Sequence, residues 1–178
     1  MNVDKTEGIE MPTRGLNDDA AKRSPDIHWP AGFSPDDADL FAHNEIFINA
    51  SCDTVWQHLV EAPKWPLWYS NAHDVDILNN QTGLLQQDSK FEFDTFDMHF
   101  DAQVSEYVPK SRLAWFGKGP DVKTYHTWLL APLASGCQVI TEEVAKGAAA
   151  IGIRKSDPNA MHKGHELWLT SLKQLSEK

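Results

Sequence analysis

The most regular pattern in the chain lies in its last stretch, where Ala160, Gly164, Leu167, Trp168, Ser171, Leu172 and Leu175 recur at spacings of three and four. This predicts a long amphipathic helix, with Asp157 placed to cap it and Pro158 in its first turn. A shorter helix is predicted over SCDTVWQHLV, because Val55, Trp56, Leu59 and Val60 share one stripe. Ser51 is its N-cap, Asp53 suits the positive end of its dipole, and Pro63 and Pro66 stop or redirect the chain. Between the two helices the period changes to two. Val75 and Ile77, then Phe91 and Phe93, then Met98, Phe100, Ala102 and Val104, then Val122, Thr124, His126, Trp128 and Leu130 each form one apolar row, as half-buried strands do. NEIFIN, Asn44 to Asn49, reads as a further strand feeding the short helix. Two strands leave their faces open. RLAWFGKG can turn in Leu113 and Trp115 or Ala114 and Phe116, the bulkier pair being favoured, and CQVITEEVAKG alternates in both registers, so either Glu142 or Glu143 faces inward. The run GAAAIGI from Gly147 reads as a small-residue segment passing close to the sheet. This order predicts an α+β domain, a curved antiparallel sheet whose apolar concave face is covered by the last helix.

Met1 to about Asp26 shows neither period and reads as mobile or loosely draped. From Ile27 the chain brings Trp29, Phe33, Leu40 and Phe41 in among prolines, which predicts an arm docked on the domain. A helical turn over DDADLF, capped by Ser34 or Asp36, would deliver Leu40 and Phe41 to an apolar surface. The expected division is an extension over 1–43 and a single domain over 44–178. A length of 178 residues, 41% of them hydrophobic with 7 Trp and 8 Phe, is enough for one real core. The net charge of -10 argues against a nucleic-acid partner. No apolar run is long enough to span a membrane and no signal-peptide pattern opens the chain, which points to the cytoplasm. Cys52 and Cys137 show no CxxC spacing and are expected as buried free thiols.

The series INASCDTVWQHLVEAPKWPLWYSN, then VSEYVPKSRLAWFGKG, then YHTWLLAPLASGCQVITEEVAKG before a final helix resembles the START-like, or SRPBCC, superfamily in its polyketide cyclase/dehydrase-like branch. The resemblance covers about Asn44 to Lys178. It implies the helix-grip fold, also called Bet v 1-like: a seven-stranded antiparallel sheet wrapped around a long C-terminal helix, with a deep pocket between them. Such a pocket is costly to leave empty, since about 300 Å³ of void would cost roughly 7 kcal/mol.

The candidate chemistry follows from these faces. Phe91, Phe93, Phe100, Trp115, Trp128 and Trp168, with Trp68 at the aromatic segment and Met161 and His165 on the closing helix, would make an apolar wall suited to a ring-bearing ligand. His126 shares its face with Trp128 and can move a proton. Glu143 is the candidate carboxylate beside it, and Tyr69 could offer a hydroxyl at the pocket mouth. His162 and His165 at i, i+3 supply only two ligands, so no metal and no cofactor is expected. Missing a phosphate loop and a G-x-S-x-G elbow, the sequence leaves three readings. The first is a binder of a small hydrophobic molecule, whether lipid, polyketide-like or aromatic. The second is a cyclase/dehydratase-type enzyme using His126 and an inward Glu. The third is a protein-interaction module like the Hsp90-activator branch. Oligomeric state stays open.

Overall fold

The computed structural model describes residues 19–178. Seven strands, β1 (Leu40–Ile48), β2 (His73–Ile77), β3 (Lys90–Thr95), β4 (Met98–Val108), β5 (Arg112–Gly119), β6 (Val122–Leu133) and β7 (Gly136–Lys146), form one antiparallel sheet in the order β1-β7-β6-β5-β4-β3-β2. The strands from β2 to β7 follow one another as hairpins. The chain then closes the order by pairing β1 with β7, Ala42 opposite Glu143 and Ile48 opposite Cys137. The helices are α1 (Asp19–Lys22), α2 (Cys52–Val60), α3 (Ala148–Ser156) and α4 (Ala160–Ser176). As expected, α2 is capped by Ser51, whose Oγ accepts from the Thr54 amide, and buries Val55, Trp56, Leu59 and Val60. A 3-10 turn over Ala62–Leu67 follows, made possible by the two prolines.

The core is a block of aromatic rings between the sheet and α4. Trp168 of α4 stacks on Tyr69 at 4.4 Å between centroids and meets Trp65 and Trp128 edge-on, each at 5.1 Å. Trp65 continues the block to Phe93 and Trp115, both at 5.6 Å. Its indole nitrogen donates to the Leu59 carbonyl, so the one polar atom of that buried ring is satisfied.

The outer face of the sheet is covered as well over β1, β7, β6 and β5. Trp29 packs edge-on against Phe41 and Tyr125, and Phe33 against Phe116, while Lys146 and Arg112 donate to the carbonyls of Gly32 and Asp26. The double cover explains why β7 reads without clean alternation: a strand buried on both faces has no polar row. In β5 the inward pair is Leu113 and Trp115, yet Ala114 is buried too.

Several expectations are corrected. Cys52 and Cys137 form a disulfide rather than free thiols, because β1 hands the chain to α2 directly beside the start of β7. Leu40 and Phe41 lie in β1, which starts earlier than Asn44, and only Pro35–Asp37 forms a turn of 3-10 helix under the Ser34 cap. GAAAIGI lies mostly in α3, where alanines favour helix, and it starts at Gly147, whose φ of 121° and close approach to the Asp121 carbonyl leave no room for a side chain. The closing helix begins at Ala160 after an Asn159 cap, and Asp157 instead accepts from the Asn159 amide in the preceding turn. Its buried face is Met161, His165, Trp168, Leu169 and Leu172, whereas Leu167 is exposed. Of the segment read as loosely draped, 1–18 lies outside the described residues, and Asp19–Asp26 is anchored through Asp19 to His162 and through the Ser24 amide to Glu142.

Candidate functional site

Registry between β6 and β7 places His126 directly opposite Glu143 on the inner face of the sheet. The same registry puts Glu142 opposite Thr127 on the outer face. From the other side α4 brings in His165, one turn after Met161 and one before Trp168. The three side chains converge. His165 Nε2 lies 2.9 Å from Glu143 Oε1, and His126 Nδ1 lies 3.7 Å from the same oxygen. Both imidazoles are buried, and Glu143 keeps 12% of its side chain accessible. They line one end of a cavity of about 40 Å³ whose other walls include Phe93, Phe100, Trp115, Met161 and Trp168. The turn between β3 and β4 roofs it: Phe96, at a φ of 51°, sits edge-on to His165 at 6.2 Å and presses against Gly164 of α4, where a Cβ would come within 2.4 Å of the ring. A bulky residue in the left-handed region is unfavourable, so the turn is held by its contacts: the Phe96 amide donates to Asn71 Oδ1.

Hydrogen bonding fixes the protonation pattern of His126. Thr141 Oγ1 donates its one hydrogen to the Thr127 carbonyl at 2.8 Å, so at 2.7 Å it can only accept from His126 Nε2. The neutral ring therefore carries its lone pair on Nδ1, facing the Glu143 carboxylate. Burial drives the His126 pKa down to about 3, with Glu143 opposing and His165 reinforcing, so the ring is neutral at pH 7. Burial raises the Glu143 carboxyl, but His126 and then His165 outweigh it and hold the group below its ordinary value. His165 Nε2, although near Glu143, is not aligned as a hydrogen bond, and His165 Nδ1 has no hydrogen-bond partner either.

No family model matches the chain, and no curated protein does. Solved structures do. The crystal structure of hypothetical protein jhp0584 from Helicobacter pylori is 31% identical and superposes with a TM-score of 0.79, over 87% of this chain and 98% of that one. The Zhui aromatase/cyclase from Streptomyces sp. R1128 superposes at 0.64 with 13% identity, over 77% of this chain and 93% of that one. A START superfamily protein from Mycobacterium smegmatis does so at 0.62 with 11% identity, over 77% and 97%. The chain belongs to one family with jhp0584, and its fold is that of START-like proteins and polyketide aromatase/cyclases.

Within this START-like grip, the residues singled out by sequence divide into two groups. His126, Glu143, His165, Phe93, Phe100, Trp115, Met161 and Trp168 line the cavity. Phe91 and Trp128 are buried in the aromatic block and do not line the cavity, and Trp68 is half-buried against the core, also outside the lining. Tyr69 is not at the mouth. It is fully buried, its hydroxyl donates to the Gly164 carbonyl and accepts from Asn71 Nδ2, and burial pushes its pKa up. His162 turns away from His165 to pair with Asp19 at 2.9 Å. The START-like pocket also uses residues that sequence reading passed over: Thr141 shares the parity of Glu143 in its strand and orients His126, whereas Phe96 stood in an expected turn with no signal that it would roof a cavity. Glu142, expected to face solvent if Glu143 faces in, is instead buried under the arm, with His43 Nδ1 and the Ser24 amide at 2.6 and 2.7 Å.

Proposed function

We propose that the cavity receives one small, flat, mostly apolar molecule with a single polar group. Its ring would lie against Phe93, Phe100, Trp115 and Trp168 and its polar group against His126, Glu143 and His165. The observation that carries this reading is the convergence of these three polar side chains at one end of an otherwise apolar cavity. A volume of about 40 Å³ is room for about one or two waters, so a ring-bearing ligand enters by displacing the roof, Phe96 with Met98 and Met161. The likeness in fold to an aromatase/cyclase and to a START protein is in keeping with ligand binding in the grip.

Proton transfer is the second reading, favoured by one observation: the pair that an enzyme of cyclase/dehydratase type requires does meet, with Glu143 within 2.9 Å of one imidazole and 3.7 Å of the other. Thermal shift and native mass spectrometry with a panel of small aromatic and polyketide-like carbonyl compounds test both. Uptake of a compound should strengthen in Phe96→Ala, which unroofs the cavity, and turnover, if present, should vanish in His126→Gln while binding persists. Absence of uptake in both the native protein and Phe96→Ala would sink the pocket reading. It would leave the interaction module, for which an interior already filled by its own tryptophans is the expected state.

No helix among the described residues is long and apolar enough to cross a membrane. The Cys52–Cys137 bond bears on location, since such bonds persist in oxidising compartments. Alkylation of thiols in intact producing cells distinguishes that setting from the expected cytoplasm.

A further inference from the structure

The polar end of the cavity has a feature that ligand binding alone leaves unexplained. His126 is oriented by Thr141 so that Nδ1, an unprotonated nitrogen, faces the oxygen of a carboxylate, two acceptors with no hydrogen between them. Beside them His165 is 1% exposed, and neither of its ring nitrogens makes a hydrogen bond. Buried polar atoms in folded proteins are satisfied as a rule, and here the unsatisfied Nε2 of His165 lies 2.9 Å from the Glu143 carboxylate. A cation among them would satisfy all three groups at once.

We propose that His126 Nδ1, Glu143 Oε1 and His165 Nε2 form a site for one divalent first-row transition-metal ion, with its remaining coordination position open to the cavity. The donor spacing fits. Ligands about 2.1 Å from one ion stand roughly 3.0–3.5 Å apart, and here the separations from the carboxylate oxygen are 2.9 and 3.7 Å, with all three donors within 4.8 Å. Two imidazoles and one carboxylate suit zinc, cobalt, nickel or iron(II) over magnesium or calcium, which prefer all-oxygen shells. The Nε2–H of His126 donating to Thr141, and through it to the Thr127 carbonyl, is the kind of outer support that fixes a ligating imidazole. A three-ligand site with an open position is the arrangement of metals that meet a substrate. The site rests on the pocket proposed above and names what would meet the ligand's polar group there. A second group, Glu92, His99 and Asp101, lies on the exposed face of β3 and β4, where each side chain has solvent or a neighbour, and serves as the control.

The test uses the full chain, stripped with a chelator and titrated with cobalt(II) and zinc(II). Calorimetry should give one equivalent bound, and cobalt should develop the visible bands of a four- or five-coordinate nitrogen–oxygen site. Binding should weaken at least tenfold in Glu143→Gln and in His165→Gln, variants whose folding is checked by thermal melting, and should be unchanged in His99→Ala. No stoichiometric binding to the native chain, or binding lost in His99→Ala and kept in the other two, overturns the proposal. The cobalt spectrum of the native chain decides the matter even if the variants do not fold. Compound uptake by the metal-stripped protein is measured in parallel: uptake without metal binding removes the metal site and keeps the pocket, and metal binding without uptake does the reverse.

Discussion

His126 shows how much one buried ring can bind the protein's stability to pH. Its folded pKa of about 3 lies below the ordinary 6.5 of the free side chain, so between those values the unfolded chain takes up a proton that the folded one refuses. Stability therefore falls as pH drops below about 6.5, at up to about 1.4 kcal/mol per pH unit from this group alone. In metal-stripped protein, urea unfolding at pH 6.5 and pH 5 should show this loss, and His126→Gln should flatten the slope between those two values. An equal slope in both proteins would mean that His126 does not stay neutral. The inward direction of His126 was legible from its row with Trp128 and Leu130. The choice between Glu142 and Glu143 was not, because both faces of β7 are buried and each register looks apolar. The role of Thr141 was hidden for another reason: a threonine in a strand is ordinary, and only its distance to a particular imidazole gives it meaning.

Among the elements, α2 and β7 are joined by the Cys52–Cys137 bond across a sequence separation of 85. In the chain-entropy account a closed loop of that length restrains the unfolded state by roughly 4–5 kcal/mol, with native strain subtracting from it. Reductant, or Cys137→Ser, should lower the unfolding free energy by about 2–4 kcal/mol in urea titrations. A midpoint indifferent to reductant would show that the bond does not form in solution. Two cysteines with no motif between them carry no pairing signal, since their meeting depends on Ile48 pairing with Cys137 and on the tight passage from β1 into α2. The last helix repeats the lesson in a milder form. Its amphipathic character was plain, yet the buried stripe is rotated onto Met161, His165 and Leu169, because Gly164 must sit under Phe96 and Trp168 must reach the aromatic block.

The whole molecule is a sheet covered inside by α4 and, over β1, β7, β6 and β5, outside by the arm that begins at Ile27 and the segment ahead of it. The outer cover has its own titratable latch. Glu142 accepts from His43 at 2.6 Å and from the Ser24 amide at 2.7 Å, while Asp19 pairs with His162. Burial alone would lower the His43 pKa, but Glu142 first, then Glu45 and Asp19, raise it above its ordinary value. The stabilisation from that proton is fully present below 6.5 and is lost as pH rises through the raised pKa. Hydrogen exchange of the backbone between Asp19 and Phe33 should accordingly quicken above neutral pH by more than the intrinsic chemical rate. His43→Gln should show the faster exchange already at pH 6, and exchange that follows the intrinsic rate alone would count against the latch.

Local periodicity was enough to settle most of the strands, the two amphipathic helices, the α+β class and the grip of a curved sheet around the last helix, though not α3 or the early start of β1. Alternation and helical spacing are imposed by backbone geometry on neighbours within a few residues, and they survive in the letters. Pairings between distant residues do not. The disulfide, the inward turn of Glu143, the opposite directions taken by His162 and His165, and the roof made by Phe96 all follow from strand register, from closure of β1 on β7 and from the outer cover of the arm. Each of these brings together groups far apart in the chain, and the approach that makes a carboxylate and two imidazoles into one site has no counterpart in the order of the residues.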